Sequence, residues 1–105
     1  MKIIVKNQTS IPNKYVRLLK WKIYGIKEKF NHLLYAEVFI NEEGQNPKDY
    51  ICTMKLGVPG NDIVINQKSR DLNKLWYDSL RSAERYLNKY KDKRIDRSRR
   101  RIDQN

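Results

Sequence analysis

At 105 residues the chain has room for one domain and little else. Hydrophobic residues make up 39% of it, enough for a modest core, and no run approaches the roughly 18 consecutive apolar residues that a membrane-spanning helix needs. The outlier is charge: 23 Lys and Arg against 12 Asp and Glu give +11, which raises affinity for a polyanion and says nothing about fold.

The opening M-K-I-I-V-K-N is too short and too soon polar for a secretory signal. A single cysteine, Cys52, excludes an internal disulfide framework and fits a reducing compartment, so cytoplasm is the expected location. Lys2 to Asn7 centres on Ile3, Ile4 and Val5 and reads as a short strand. Pro12 then opens a helix, because its missing N–H has no partner in a first turn anyway. From Pro12 to about Asn31, Tyr15, Val16, Leu19, Ile23, Ile26 and Phe30 recur at steps of three and four and share one face. Gly25 costs that helix about 1 kcal/mol relative to Ala, yet the periodicity runs through it.

Period two takes over from Leu33 to Glu42, where Leu34, Ala36, Val38 and Ile40 alternate with Leu33, Tyr35, Glu37 and Phe39. After the loop Glu43–Pro47, Lys48 to Val58 alternates again, with Tyr50, Cys52, Met54 and Leu56 on one side. Pro59-Gly60 is a tight-turn pair, and Asp62 to Lys68 completes a hairpin. Asp71 is the N-cap of a last helix whose buried stripe is Leu72, Leu75, Trp76, Ser79, Leu80, Ala83, Leu87 and Tyr90. Residues 95–105 lack apolar periodicity and read as a disordered basic tail, which leaves 1–94 as the folded domain.

The order β-α-β-β-β-α predicts an α+β fold. A strand-helix-strand unit makes a parallel crossover and short loops make antiparallel neighbours. The result is a four-stranded mixed sheet with both helices packed on one face.

No constellation for catalysis emerges. His32 stands alone at a helix-to-strand junction, better read as an exposed loop histidine than as a metal ligand. Cys52 has the core-facing parity of its strand and reads as an inert thiol. Glu42 and Glu43 are adjacent loop carboxylates, and there is no glycine-rich phosphate loop. The expectation is no enzyme, no metal, no cofactor, no small-molecule substrate and no membrane partner.

The cations are more purposeful. Lys74, Arg81, Arg85 and Lys89 line up opposite the apolar stripe of the last helix, and Lys91, Lys93 and Arg94 extend the charge to its end. Asp78 and Asp92 interrupt the stripe, so intrahelical pairing and the helix dipole compete with nucleic-acid contact as explanations. The net charge favours nucleic acid. Trp21 falls opposite the apolar face of the first helix, between Arg17, Lys20 and Lys22. It is a base-stacking ring, a partner contact, or a ring lying flat under Lys and Arg stems; Tyr24 and Tyr77 share that ambiguity.

Asp71-Leu72 opens the last helix, and the run Arg85-Tyr86-Leu87-Asn88-Lys89-Tyr90-Lys91-Asp92-Lys93 is similar to an R-x-L-x-K-x-K-D-K pattern. With Tyr15-Val16, Lys22 and Phe30-Asn31 in support, residues 1–94 resemble the short-form ribosome hibernation promoting factors, also called ribosome-associated inhibitors or sigma-54 modulation proteins. The resemblance implies binding to 16S rRNA in the mRNA and tRNA channel of the small ribosomal subunit, translation silencing in stationary phase or stress, and a monomeric free protein. It marks Lys22, Arg85, Lys89, Lys91 and Lys93 as contacts, to which the charge pattern adds Lys74, Arg81 and Arg94. Two alternatives stay open: a generic double-stranded RNA-binding domain, and a protein-interaction module using Leu33, Tyr35 and Phe39 on the sheet.

Overall fold

The computed structural model describes the backbone of residues 1–103 and the side chains of residues 1–93. The elements run β1 (Lys2–Asn7), α1 (Asn13–Lys29), β2 (Tyr35–Glu43), β3 (Asp49–Val58), β4 (Asn61–Ser69) and α2 (Leu72–Asp103). The sheet order is β1-β2-β3-β4. β1 is parallel to β2, while β2, β3 and β4 form an antiparallel meander. The α+β, mixed-sheet architecture expected from the order of elements is the one found.

Register lines up one face of the sheet. Val38 lies opposite Met54 and Met54 opposite Ile65; Ala36 lies opposite Leu56 and Leu56 opposite Ile63. These residues are buried, and Leu19, Ile23, Leu75 and Leu87 from the two helices close over them. Each such aliphatic side chain contributes about 1.5–3 kcal/mol by leaving water. α1 packs on β1 and α2, and α2 on β3 and β4, so the helices form one layer. The opposite face, with Glu37, Phe39, Thr53, Lys55 and Val64, carries no helix.

Local chemistry sets the element ends. Pro12 is the N-cap of α1 rather than its first helical residue, with ψ at 144° and its carbonyl accepting from the Tyr15 amide. At the other end the Lys27 ammonium donates to the carbonyls of Asn31 and Leu33. That holds the chain in a turn, so α1 stops at Lys29, two residues short of Asn31. The same turn shifts the strand parity expected at residue 33: Leu33 is fully buried and Leu34 is 54% exposed. Leu33 is therefore core and not part of a greasy outer sheet face. Gly60 takes φ +79° in the two-residue β3–β4 turn, and the Asp71 carboxylate caps α2 by accepting from the Asn73 amide at 2.9 Å.

The backbone of α2 continues as helix to Asp103, past residue 94 where the loss of apolar periodicity suggested a disordered tail. Lys and Arg are good helix formers, and no Gly or Pro interrupts 95–103. The side chains from Arg94 onward, including Arg97–Arg101, lie outside the described residues.

Candidate nucleic-acid interface

The fold sorts charge by face. The helical residues 13–29 and 72–93 carry twelve Lys and Arg against four Asp and Glu; the strands, turns and N-terminus through residue 93 carry six of each. The described domain is therefore close to neutral on its sheet side, and its positive excess sits on the helix layer.

Pairing sharpens the division. On the sheet side Lys48 meets Glu42 at 3.3 Å, Lys55 meets Asp62 at 3.8 Å, Lys68 meets Glu43 at 3.0 Å, and Lys68 and Arg70 both reach Asp49. The hydrogen bond to Glu43 is the main reason the Lys68 ammonium is held above its ordinary pKa. Tyr35 donates to Asp62 at 2.8 Å, and that bond likewise is the first cause raising its phenol. Lys6 stands over the Phe39 ring, 5.6 Å from its centroid.

On the helix layer, by contrast, one ion pair is found among the described residues, Lys29 to Glu84 at 3.7 Å, joining α1 to α2. Lys74, Arg81, Arg85, Lys89, Lys91 and Lys93 are exposed. Asp78 and Asp92 make no ion pair with them, so the intrahelical pairing allowed by spacing does not form. Arg81, Arg85 and Lys89 border an open groove of about 680 Å³ along α2, beside Gln67 of β4, which Asp78, Glu84 and Asp92 also line. Gln67 donates to the Ser82 hydroxyl at 3.2 Å and ties that side of the helix to the sheet edge. The Arg85 guanidinium and the Lys89 ammonium lie 5.3 and 5.5 Å from the Tyr86 ring centroid. One ring thus steadies both cations through the attraction of its quadrupole.

Not all candidate residues converge. At about 100° per residue Lys93 stands one turn beyond Lys89 and continues the stripe, whereas Lys91 points about 160° away from Lys89 and leaves it. Lys22 belongs to a second groove of about 410 Å³ between the helices, with Gly25, Lys29, Leu80 and Glu84. Trp21 is 76% exposed. Sequence spacing missed Lys29, whose partner Glu84 is distant in sequence, and Gln67, whose role needs the strand edge. The one-residue and three-residue steps from Tyr86 to Arg85 and Lys89 were a readable signal for the aromatic support.

The residues singled out for other chemistry are structural. His32 is half-buried rather than exposed, its ring tilted at 60° to Tyr90 with centroids 5.8 Å apart. The helix-ending turn brings it there, while Tyr90 donates to the Pro59 carbonyl at 2.7 Å. Cys52 is fully buried, and desolvation pushes its thiol up to about 11, outweighing the neighbouring Ser79 hydroxyl. Among the described residues no three His, Cys, Asp or Glu side chains gather to hold a metal, and no helix is long and apolar enough to cross a membrane.

No family model and no curated protein matches the sequence. Solved structures do match the fold. A ribosomal subunit interface protein from Coxiella burnetii superposes with a TM-score of 0.75 at 20% identity, over 88% of this chain and 99% of its own. The N-terminal domain of Protein Y from Thermus thermophilus gives 0.68 at 15% identity, over 85% of this chain and 94% of its own. The resemblance carried by the closing run of α2 is thus matched at the level of architecture: this chain has the fold of a ribosomal subunit interface protein and of the Protein Y N-terminal domain.

Proposed function

We propose that this protein is a ribosome hibernation factor that binds the small ribosomal subunit through its helix layer and silences translation. The observation that carries the reading is the segregation of charge: unpaired cations on α1 and α2, and a paired, near-neutral sheet side. A phosphate backbone is the natural counterpart of such a layer, because each neutralised phosphate releases condensed counterions. The likeness in fold to a ribosomal subunit interface protein supports the ribosome as the source of that backbone.

On this reading 16S rRNA in the mRNA and tRNA channel is the target. Arg81, Arg85 and Lys89 form the central contact, and Lys22, Lys74, Lys91, Lys93 and Arg94 are the further contacts. The protein acts by occupancy, as a cytoplasmic monomer, and performs no chemistry.

Co-sedimentation with purified 30S and 50S subunits across a salt series tests this. Binding is expected to 30S at low salt, with log K falling linearly in log salt. Absence from the 30S fraction at low salt overturns the proposal. Equal affinity for a free RNA duplex of similar length replaces it with a general duplex-binding domain.

A further inference from the structure

Two residues of α1 are unexplained by packing and by charge. Trp21 is 76% exposed, on the side of the helix opposite Leu19, Ile23 and Ile26. Burying an indole contributes more than burying most side chains, so leaving one in water forfeits a large apolar gain. No cation covers it: the described cation–ring contacts fall on Phe39, Tyr15 and Tyr86. The ring does not lie flat under Lys or Arg stems, as the sequence alone allowed.

Gly25 stands one helical turn after Trp21. A Cβ placed there meets nothing within 4 Å, and its φ is not in the left-handed range. Neither close packing nor backbone conformation therefore asks for glycine, although it weakens the helix relative to alanine. Its physical effect is to leave the helix surface bare one turn from Trp21, where it borders the interhelical groove lined by Lys22 and Lys29 together with Glu28 and Glu84. Close approach of a ligand is one of the few uses for such a glycine.

The chemistry of the occupant follows from what surrounds the slot. Lys14, Arg17, Lys20 and Lys22 flank Trp21 along α1, and Glu28 is the single carboxylate of that helix. An exposed aromatic face among cations suits a planar base attached to a phosphate backbone, where stacking and charge attraction act on one ligand. A base inside a continuous duplex offers no free face, whereas an unpaired base does. We propose that Trp21 and the bare slot at Gly25 form a stacking seat for one unpaired RNA base, so that the helix layer prefers single-stranded or looped-out RNA to uninterrupted duplex. This rests on the RNA-binding reading above and adds to it the class of RNA engaged.

The full chain, titrated with a short uridine-rich oligonucleotide and with a blunt duplex of the same length, tests the seat. Trp76 is 2% exposed, so a change in tryptophan emission on adding RNA reports Trp21. Single-stranded RNA is expected to quench it and duplex to leave it nearly unchanged. Trp21→Ala is expected to lower single-strand affinity by roughly tenfold or more, leave duplex affinity within about twofold, and keep the salt slope, since no phosphate contact is removed. Trp21→Phe retains most of the binding. Gly25→Leu fills the slot, weakens single-strand binding and raises thermal stability, an outcome that misfolding does not produce.

The seat is overturned if Trp21→Ala binds single strands like the parent, if it loses duplex binding equally, or if the parent binds neither RNA. It is also overturned if Trp21→Ala loses only subunit binding, which assigns the indole to a ribosomal protein. Failure of the parent chain to co-sediment with 30S, with oligonucleotide quenching intact, overturns the ribosomal reading and leaves the seat standing.

Discussion

The two faces of this molecule solve opposite electrostatic problems. On the bare sheet face, charges are spent locally: Lys55 and Tyr35 both engage Asp62, and Lys68 divides itself between Glu43 and Asp49. On the helix layer, Arg81, Arg85 and Lys89 stand in a row with an aromatic ring as support and no carboxylate partner. Exposed ion pairs are each worth about 0–1 kcal/mol, so stability does not explain the difference. What differs is the field offered to a partner. A paired face is nearly neutral a Debye length away, and an unpaired one attracts polyanions from further off.

Reversing charge on one face at a time gives the largest contrast. Arg81→Glu, Arg85→Glu and Lys89→Glu together are expected to weaken 30S binding about a hundredfold or more and to lower the salt slope by about 2–3. The matching reversal of Lys6, Lys55 and Lys68 should change binding less than about threefold. Filter binding across salt reads both; similar losses from the two triples would erase the distinction between faces.

Gly57→Ala asks whether the sheet face serves stability. A Cβ at Gly57 would run into the Tyr35 ring on the neighbouring strand. Forcing that ring away costs about 1–3 kcal/mol, and denaturant titration should show it while RNA affinity of the folded fraction stays unchanged.

The interior between the two layers has its own signature at alkaline pH. The Cys52 thiol ionises near 9.0 when unfolded and near 11 when folded. The unfolded chain loses its proton first, so this contribution to stability is complete below pH 9 and is lost as pH rises from 9 to 11. Cys52→Ala should flatten that part of the stability profile, and a thiol reagent at pH 8 should label the wild type only on unfolding.

Glu84→Gln makes the smallest change. It removes the Lys29–Glu84 ion pair between the helices, whose side chains are 67% and 41% exposed, at a cost of a few tenths of a kcal/mol. By adding to the positive field it should strengthen RNA binding slightly, about twofold. A marked loss of binding would mean that Glu84 orients α1 on α2 rather than merely diluting the charge.

Much of this was legible in the chain because it is periodic. Of the expected stripe, Leu75, Trp76, Ser79, Ala83 and Leu87 are buried and Leu72, Leu80 and Tyr90 partly so; on β3, Cys52, Met54 and Leu56 are buried and Tyr50 partly so. Period 3.6 and period 2 are properties of backbone geometry and survive any tertiary arrangement. The errors cluster where periodicity ends. Leu33 and Leu34 exchange sides because Lys27 holds a turn between α1 and β2. His32 is drawn against Tyr90 by that same turn. Asp78 and Asp92 have the spacing to pair with the stripe and do not, since spacing sets reach and not rotamer.

The sequence by itself determined the element order, the inward face of each helix and strand, and the sign of the net charge, all of which depend on neighbours within a turn or two. Only the tertiary structure decided where that charge is effective. Glu42, Glu43, Asp49 and Asp62 of the strands and turns meet cations on those same elements across the sheet and at its ends, as Lys68 does with Glu43 and Asp49. On the helices, laid side by side over the core, most of the described cations form no ion pair with a carboxylate. Coulomb attraction depends on separation in space, and those separations exist only once the sheet and helix layer have formed.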